Sequence, residues 1–265
     1  MPELPEVETF RKKLSSALKG KTIRNVHVHP DKIVFAKKSP TLIKKAFLGS
    51  KIKNCNRKGK YIWFELNHKP WPVFHLGMSG SYAISNELPD KKLKSVKLVL
   101  EMQDGTFMIF KDPRRFGRIF ILDNPLAEKP LSHLGPDVLN ELPSPKEIYS
   151  LLSPRRAPIK ALLLDQSLLS GIGNWMADEI LFQSGINPSR PAHDITIAEY
   201  KKLHSKISSV TKFAVKSNAD YDKYPKTWLF HLRWGKKAGK ISSGEVIKHS
   251  VVGGRSTAWV PAKQK

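Results

Sequence analysis

Apolar residues recur at three- and four-residue spacings over Pro5–Leu18, which predicts an opening amphipathic helix ended near Gly20. Short runs rich in β-branched and aromatic residues follow at Thr22–His29, Tyr61–Leu66, Val73–Leu76, Val96–Met102, Thr106–Phe110 and Arg118–Leu122. Asp104-Gly105 between two of them is a hairpin signal. Strands this frequent behind a single helix predict a β-sandwich or flattened barrel. From Asn124 to Pro145 the pattern gives way to proline turns, the signature of a linker. Helical periodicity then returns at Lys146–Leu152, Ile159–Gln166, Asn174–Gln183 and Thr196–Lys216. The tail, "KISSGEVIKHSVVGGRSTAWVP", reads as a glycine-turned β-hairpin. The expected organisation is an α+β chain: a β-rich domain over 1–123, a linker over 124–145, an all-α domain over 146–219 and a hairpin over 220–265.

Charge changes the picture next. The 265 residues carry 46 Lys and Arg against 23 Asp and Glu, a formal net charge of +23. Solubility does not need so lopsided a balance. It fits a polyanionic partner, because a field of this sign speeds association with nucleic acid and counterion release supplies affinity. No apolar run approaches the roughly 20 residues of a membrane span. The N-terminus, acidic from Glu3, lacks the basic and apolar regions of a signal peptide. An intracellular protein without membrane attachment is therefore expected. One cysteine, Cys55, leaves no internal disulfide and no multi-cysteine zinc site.

The opening "MPELPEVET" supports two readings. Prolines and carboxylates suit a first helical turn. Removal of Met1 would also leave Pro2 as a secondary amine, a nucleophile able to form an iminium, with Glu3 beside it as acid or base. Further along, Asn56-Arg57-Lys58-Gly59-Lys60 surrounds a glycine with cations before a strand, so that Lys60 either holds a phosphate or flanks the strand in solvent. In "FHLGMSG", Met78 is either a wedge between base steps or a core residue. "DPRRFG" offers Arg114 and Phe116 to a gap in a base stack, or is a basic turn with a buried Phe. Gly171-Ile172-Gly173 breaks the helical pattern ahead of Asn174, a candidate N-cap, and the exposed N–H groups of such a turn can grip a phosphate. Lys160, shortly before the motif, joins the DNA-contacting set.

Taken in order, "PELPEVET", "RKGKY", "HLGMSG", "DPRRFG", "HLGPD", "LLLDQSLLSGIGN", "ADEILF" and "GGRSTAW" resemble the formamidopyrimidine-DNA glycosylase and endonuclease VIII family of base-excision repair enzymes, nearly end to end. The resemblance implies an N-terminal β-sandwich, a helix-two-turn-helix domain and a C-terminal hairpin finger, with damaged double-stranded DNA as partner and a monomer as the working form. It implies that Pro2 attacks C1′ of the damaged nucleotide, that Glu3 serves the sugar as acid/base, and that Glu6 orders the site. Lys60, Asn174 and Arg255 resemble the family's phosphate grips, Lys60 being counted with the catalytic group. Met78, Arg114 and Phe116 resemble its void-filling residues, and Glu179 stands at a place associated with lesion recognition. The implied chemistry is base release followed by β,δ-elimination, with no redox cofactor or metal.

Two departures qualify the likeness. Many bacterial members close the finger with four cysteines around zinc, whereas this tail has none, and His231 and His249 are too few for a structural site. The chain resembles zinc-less members, in which apolar packing, here by Val251, Val252 and Trp259, replaces the metal. The segment "KSNADYDKYPKTWLF" is also short and lacks the glycine-rich stretch that caps 8-oxoguanine in bacterial relatives. The rival to catalysis is a non-catalytic damage-binding protein on the same scaffold, which would have no use for a nucleophile beside an acid.

Overall fold

The computed structural model describes residues 2–87, 94–235 and 239–265. Helix α1, Leu4–Leu18, carries Pro5 in its first turn, where a missing N–H has no cost, and buries Val7, Leu14 and Leu18. By internal contact the chain forms two units: Pro2 with Glu6–His133, and Glu3–Pro5 with Leu134–Lys265.

The first unit contains β1 (Ile23–Val28), α2 (Pro40–Phe47), β2 (Ile52–Lys58), β3 (Tyr61–Leu66), β4 (Trp71–His75), β5 (Ser81–Ser85), β6 (Val96–Met102), β7 (Phe107–Lys111) and β8 (Arg118–Leu122). Two antiparallel four-stranded sheets, β1-β6-β7-β5 and β2-β3-β4-β8, share one core. Val26, Leu98, Leu100 and Phe110 come from the first sheet, and Ile62, Phe64, Phe74 and Ile119 from the second. Gly105 (φ +84°) turns the β6–β7 hairpin, and the Asp104 carboxylate accepts the N–H of Thr106 at 3.1 Å. Periodicity misses α2, β2 and β5. Strand β2 buries Ile52, Cys55 and Arg57, so its inward face includes a cation paired with Glu8 at 2.9 Å, and it is bulged between Ile52 and Asn54. Asn56, Arg57 and Lys58 therefore lie within a strand rather than ahead of one, and Gly59-Lys60 form the turn to β3.

The second unit contains α3 (Pro145–Leu152), α4 (Ile159–Leu164), α5 (Asn174–Ser184), α6 (Ile197–Lys216), and the hairpin β9 (Lys248–Val252) and β10 (Arg255–Trp259). Capping boxes start two helices, Ser144 with Glu147 for α3 and Thr196 with Glu199 for α6. Helix α5 is buried almost all round, through Trp175, Met176, Ala177, Ile180 and Leu181, but also through Asp178 and Glu179. Among the described residues no helix is long and apolar enough to cross a membrane.

The hairpin region closes over Leu229, Ile241, Ile247, Ala258 and Val260, against Phe182. This corrects the expected packing set: Val251 is 76% exposed, only Val252 of the valine pair is buried, and Trp259 is half-buried. The alternation of the strand turns one valine of each successive pair outward. Metal chelation is expected to leave the thermal unfolding midpoint unchanged, since no cysteine in this region can bind zinc as a thiolate. Melts followed by circular dichroism with and without chelator check this, and a lower midpoint with chelator would show that a metal holds the region together.

Candidate active site

Glu3 is 2% exposed, and its carboxylate accepts the N–H of Trp175 at 2.8 Å and of Met176 at 3.1 Å. Those donors open α5, whose N-cap is Gly173, a residue with no side chain to satisfy them. Glu3 therefore does from the chain terminus what a capping side chain does within a helix, and its charge sits at the positive end of the helix dipole. Next to it, the N–H of Leu4 donates to the Gly171 carbonyl at 3.2 Å. A Cβ at residue 173 would lie 2.1 Å from Glu3 Cδ, and one at residue 171, where φ is +109°, would lie 2.3 Å from Leu4 Cδ1. The Gly-Ile-Gly turn is thus a socket for Glu3 and Leu4. The N–H groups of Trp175 and Met176 that follow the turn serve Glu3 rather than a phosphate. Asn174 is likewise the first residue of α5 rather than its N-cap. Pro2 is half-buried directly before Glu3, and Glu6 is buried one turn into α1.

Met78 and Phe116 are 39% and 41% exposed, so both project as the wedge reading requires. Their loops are joined. A Cβ at Gly77 (φ +59°) would meet the Phe116 carbonyl oxygen at 2.3 Å, and the buried Asp112 carboxylate accepts both the Ser79 hydroxyl and the Gly117 N–H, the latter at 2.7 Å. The Arg114 guanidinium lies 4.8 Å from the Phe116 ring centroid, and Arg115 bonds Asp31 at 2.9 and 3.2 Å. Beside the first loop, burial pushes His75 down to about 4, helped by Lys60 and Arg118, and its Nδ1 accepts the Gly77 N–H at 3.2 Å. Lys60 is half-buried in the β2–β3 turn.

In the second unit, Arg255 is exposed where β10 leaves the Gly253-Gly254 turn, both glycines having positive φ. Asn174 Nδ2 donates to the Ser256 carbonyl at 2.9 Å. Lys160 departs from its expected role: it is fully buried, 2.6 Å from Asp178, so it cannot touch DNA directly. Glu179 departs too. Its side chain is inaccessible, one oxygen accepting from Gln183 Nε2 at 2.8 Å and the other from the Phe230 N–H at 2.8 Å. It braces the turn at Leu229–His231 and presents nothing to a lesion.

Residues 1–119 match the formamidopyrimidine-DNA glycosylase N-terminal domain, and residues 134–224 match its H2TH domain. The chain belongs to the formamidopyrimidine-DNA glycosylase family. It is 38% identical to formamidopyrimidine-DNA glycosylase of Arabidopsis thaliana, over 100% of this chain and 71% of that protein. It is 33% identical to the Bacillus subtilis enzyme of that name, over 97% and 96% of the two chains. The solved Lactococcus lactis formamidopyrimidine-DNA glycosylase, non-covalently bound to DNA containing an AP site, superposes with a TM-score of 0.88 at 28% identity and full coverage of both chains. A mutant of the same bacterium's enzyme, in complex with DNA containing Fapy-dG, gives 0.86 at 27% identity, again over the whole of both chains. A β-sandwich followed by a helix-two-turn-helix domain is therefore the fold of this family member.

Several positions that shape this glycosylase-family site escape a reading of the sequence. Gln166 bonds the Leu164 and Ile172 carbonyls at 2.9 and 2.8 Å and the Gly171 N–H at 3.0 Å, filling the socket turn from behind. Asp178 acts through Lys160 and Arg233, partners distant in sequence. Glu179 carries a measurable consequence. Burial, with Asp178 alongside, pushes its carboxyl up to about 7 from 4.5, against the bonds from Gln183 and Phe230. The folded chain then holds a proton that the unfolded chain releases. Its contribution is full below the unfolded value, declines as pH rises towards about 7, and is constant above. The loss across that window is on the order of 3 kcal/mol. Urea unfolding at a series of pH values should show this decline in wild type and not in Glu179→Gln. Parallel curves for the two proteins would contradict it.

Proposed function

We propose that this chain is a bifunctional DNA glycosylase and AP lyase of base excision repair, acting on damaged double-stranded DNA inside the cell and releasing oxidised or ring-opened purines. The observation that carries this is the Glu3 carboxylate, locked onto the first N–H groups of α5 directly after a residue that becomes a secondary amine once Met1 is removed. In domain terms, 1–123 is the catalytic sandwich, 124–145 the linker, 146–219 the helix-two-turn-helix domain and 220–265 the finger.

The nitrogen lone pair of Pro2 attacks C1′, and the base departs with the glycosidic electron pair and takes up a proton. The proton that the attacking nitrogen sheds passes to the Glu3 carboxylate, which delivers it to the ring oxygen as the sugar ring opens and the C1′–N bond becomes an iminium. The iminium acidifies the C2′ hydrogen, whose removal expels the 3′ phosphate, and a second elimination expels the 5′ phosphate. Water then hydrolyses the iminium and returns the Pro2 amine. Glu6 orders this site.

None of this can occur within a stacked duplex, so the nucleotide is flipped out at a cost of a few kcal/mol. Met78, Arg114 and Phe116 fill the space left behind. Lys60, Asn174 and Arg255 hold phosphates. The chain between α6 and the turn at Tyr221–Lys223 is brief, with Asn218 and Ala219 at positive φ, and offers little backbone to wrap an everted base. 8-Oxoguanine differs from guanine by one oxygen and one proton, and selecting on so little needs placed hydrogen-bond partners. Formamidopyrimidines and hydantoins weaken pairing and are selected partly during extrusion. Single-turnover excision opposite cytosine is expected to be faster for formamidopyrimidine and hydantoin lesions than for 8-oxoguanine. The reverse order would overturn the substrate assignment, and absence of any base release would overturn the glycosylase reading.

A further inference from the structure

We infer that Asp178 is a positioning residue for the DNA grip: its buried carboxylate, between Lys160 and Arg233, fixes strand β10 so that Arg255 is aimed from the hairpin tip. The inference rests on the reading of Arg255 as a phosphate contact and explains what holds that contact in place.

Asp178 is 0% exposed, yet faces two cations, with Lys160 Nζ at 2.6 Å and an Arg233 guanidinium nitrogen at 2.7 Å. Asp178 also accepts the Ala258 N–H at 3.2 Å. Lys160 Nζ continues the set, donating to the Ser256 carbonyl at 3.0 Å and the Thr257 hydroxyl at 2.7 Å. Asn174 donates to the same Ser256 carbonyl. Residues 256, 257 and 258 are thus each held by a polar group rooted on α4 or α5, and Arg255 is the next residue towards the tip. The turn itself sits tightly on α4: at Gly253 (φ +58°) a Cβ would lie 2.9 Å from Ala161 Cβ.

Stability alone does not account for such a cluster. Two cations and one carboxylate out of water are costly, and apolar residues of matched volume commonly serve a core as well or better. What the cluster adds is direction. Apolar contacts let a hairpin slide and rock over a helix, whereas hydrogen bonds with defined donors and acceptors fix its register. A phosphate contact made by one arginine at the end of a two-stranded arm depends on that register, since charge-assisted bonds fade over a fraction of an ångström.

The test is affinity for a duplex bearing a tetrahydrofuran abasic-site analogue, measured at several salt concentrations. Arg255→Ala is expected to weaken binding about tenfold and to lower the salt slope by about one. Asp178→Asn should weaken it to a similar degree, with the same change in slope and no further loss in the Asp178→Asn/Arg255→Ala double variant. Asp178→Asn leaves two buried cations short of a partner, so the replacement Lys160→Met/Asp178→Leu/Arg233→Met, which removes all three charges together, carries the test if the single variant does not fold. That triple variant is expected to melt near or above wild type and still to bind weakly with the reduced slope. Wild-type affinity and slope in the triple variant, or additive losses in the double variant, would make the cluster structural only and overturn the inference. If Arg255→Ala alone binds normally, the phosphate reading of Arg255 fails and this inference fails with it, a result distinguishable from the first two.

Discussion

Protein that retains Met1, through a fused tag that blocks its removal, is expected to form no borohydride-stable adduct with abasic DNA, while the processed chain forms one. The reason is chemical. An amide nitrogen has its lone pair delocalised into the carbonyl and cannot attack C1′, whereas the free terminal amine has a reference pKa of about 7.7–8.0 and is partly neutral near physiological pH. The same change leaves Met78, Arg114, Phe116 and Arg255 in place, so duplex binding should persist. Pro2→Gly keeps a terminal amine but exchanges a secondary for a primary one and frees the backbone before Glu3. It should trap more slowly rather than not at all. Gel-resolved trapping, with binding measured in parallel, checks both variants. An adduct from the unprocessed, tagged protein as strong as that from the processed protein would place the nucleophile elsewhere.

The second large effect is expected at a residue with no side chain. Gly173→Ala would bring a Cβ to 2.1 Å from Glu3 Cδ, closer than two atoms can approach, so the carboxylate must leave the N–H groups of Trp175 and Met176. Base release should fall about 10²–10⁴-fold, the range associated with a displaced acid–base group, and Glu3→Gln should give a loss in the same range. The two changes should not add, because both remove one carboxylate from one place. Affinity for abasic duplex should change far less than the rate. Near-normal single-turnover rates in Gly173→Ala would mean that Glu3 reacts from some other position, and the socket would lose its catalytic meaning.

Much of the local structure was legible from pattern alone. The helices α3, α5 and α6 begin within a residue of where periodicity placed them, since Ser144 with Glu147 and Thr196 with Glu199 are capping signals written locally. Strands β3, β6 and β8 coincide with their apolar runs. The miss at β2 has a physical cause. Strand β2 buries an arginine whose neutralising partner, Glu8, lies on α1, and the polarity of β2 hides its inward face from any pattern. Charge balance was enough to indicate a polyanionic partner, because net charge does not depend on folding, and motif order is what raised Pro2 as the expected amine nucleophile.

What the tertiary structure decided is the work done by polar groups that meet from remote parts of the chain. Glu3 reaches residues 175 and 176, so that the helix start after the glycine turn seats a carboxylate from the other end of the chain. Lys160 and Glu179 look like surface chemistry in a basic sequence, yet each is enclosed and bonded to partners. Burial of a charge is tolerated only where a specific partner is brought to it, and that partner can lie at any distance along the chain. A linear sequence lists the donors and acceptors. Which of them face the DNA and which face one another depends on the packing of α4, α5 and the hairpin.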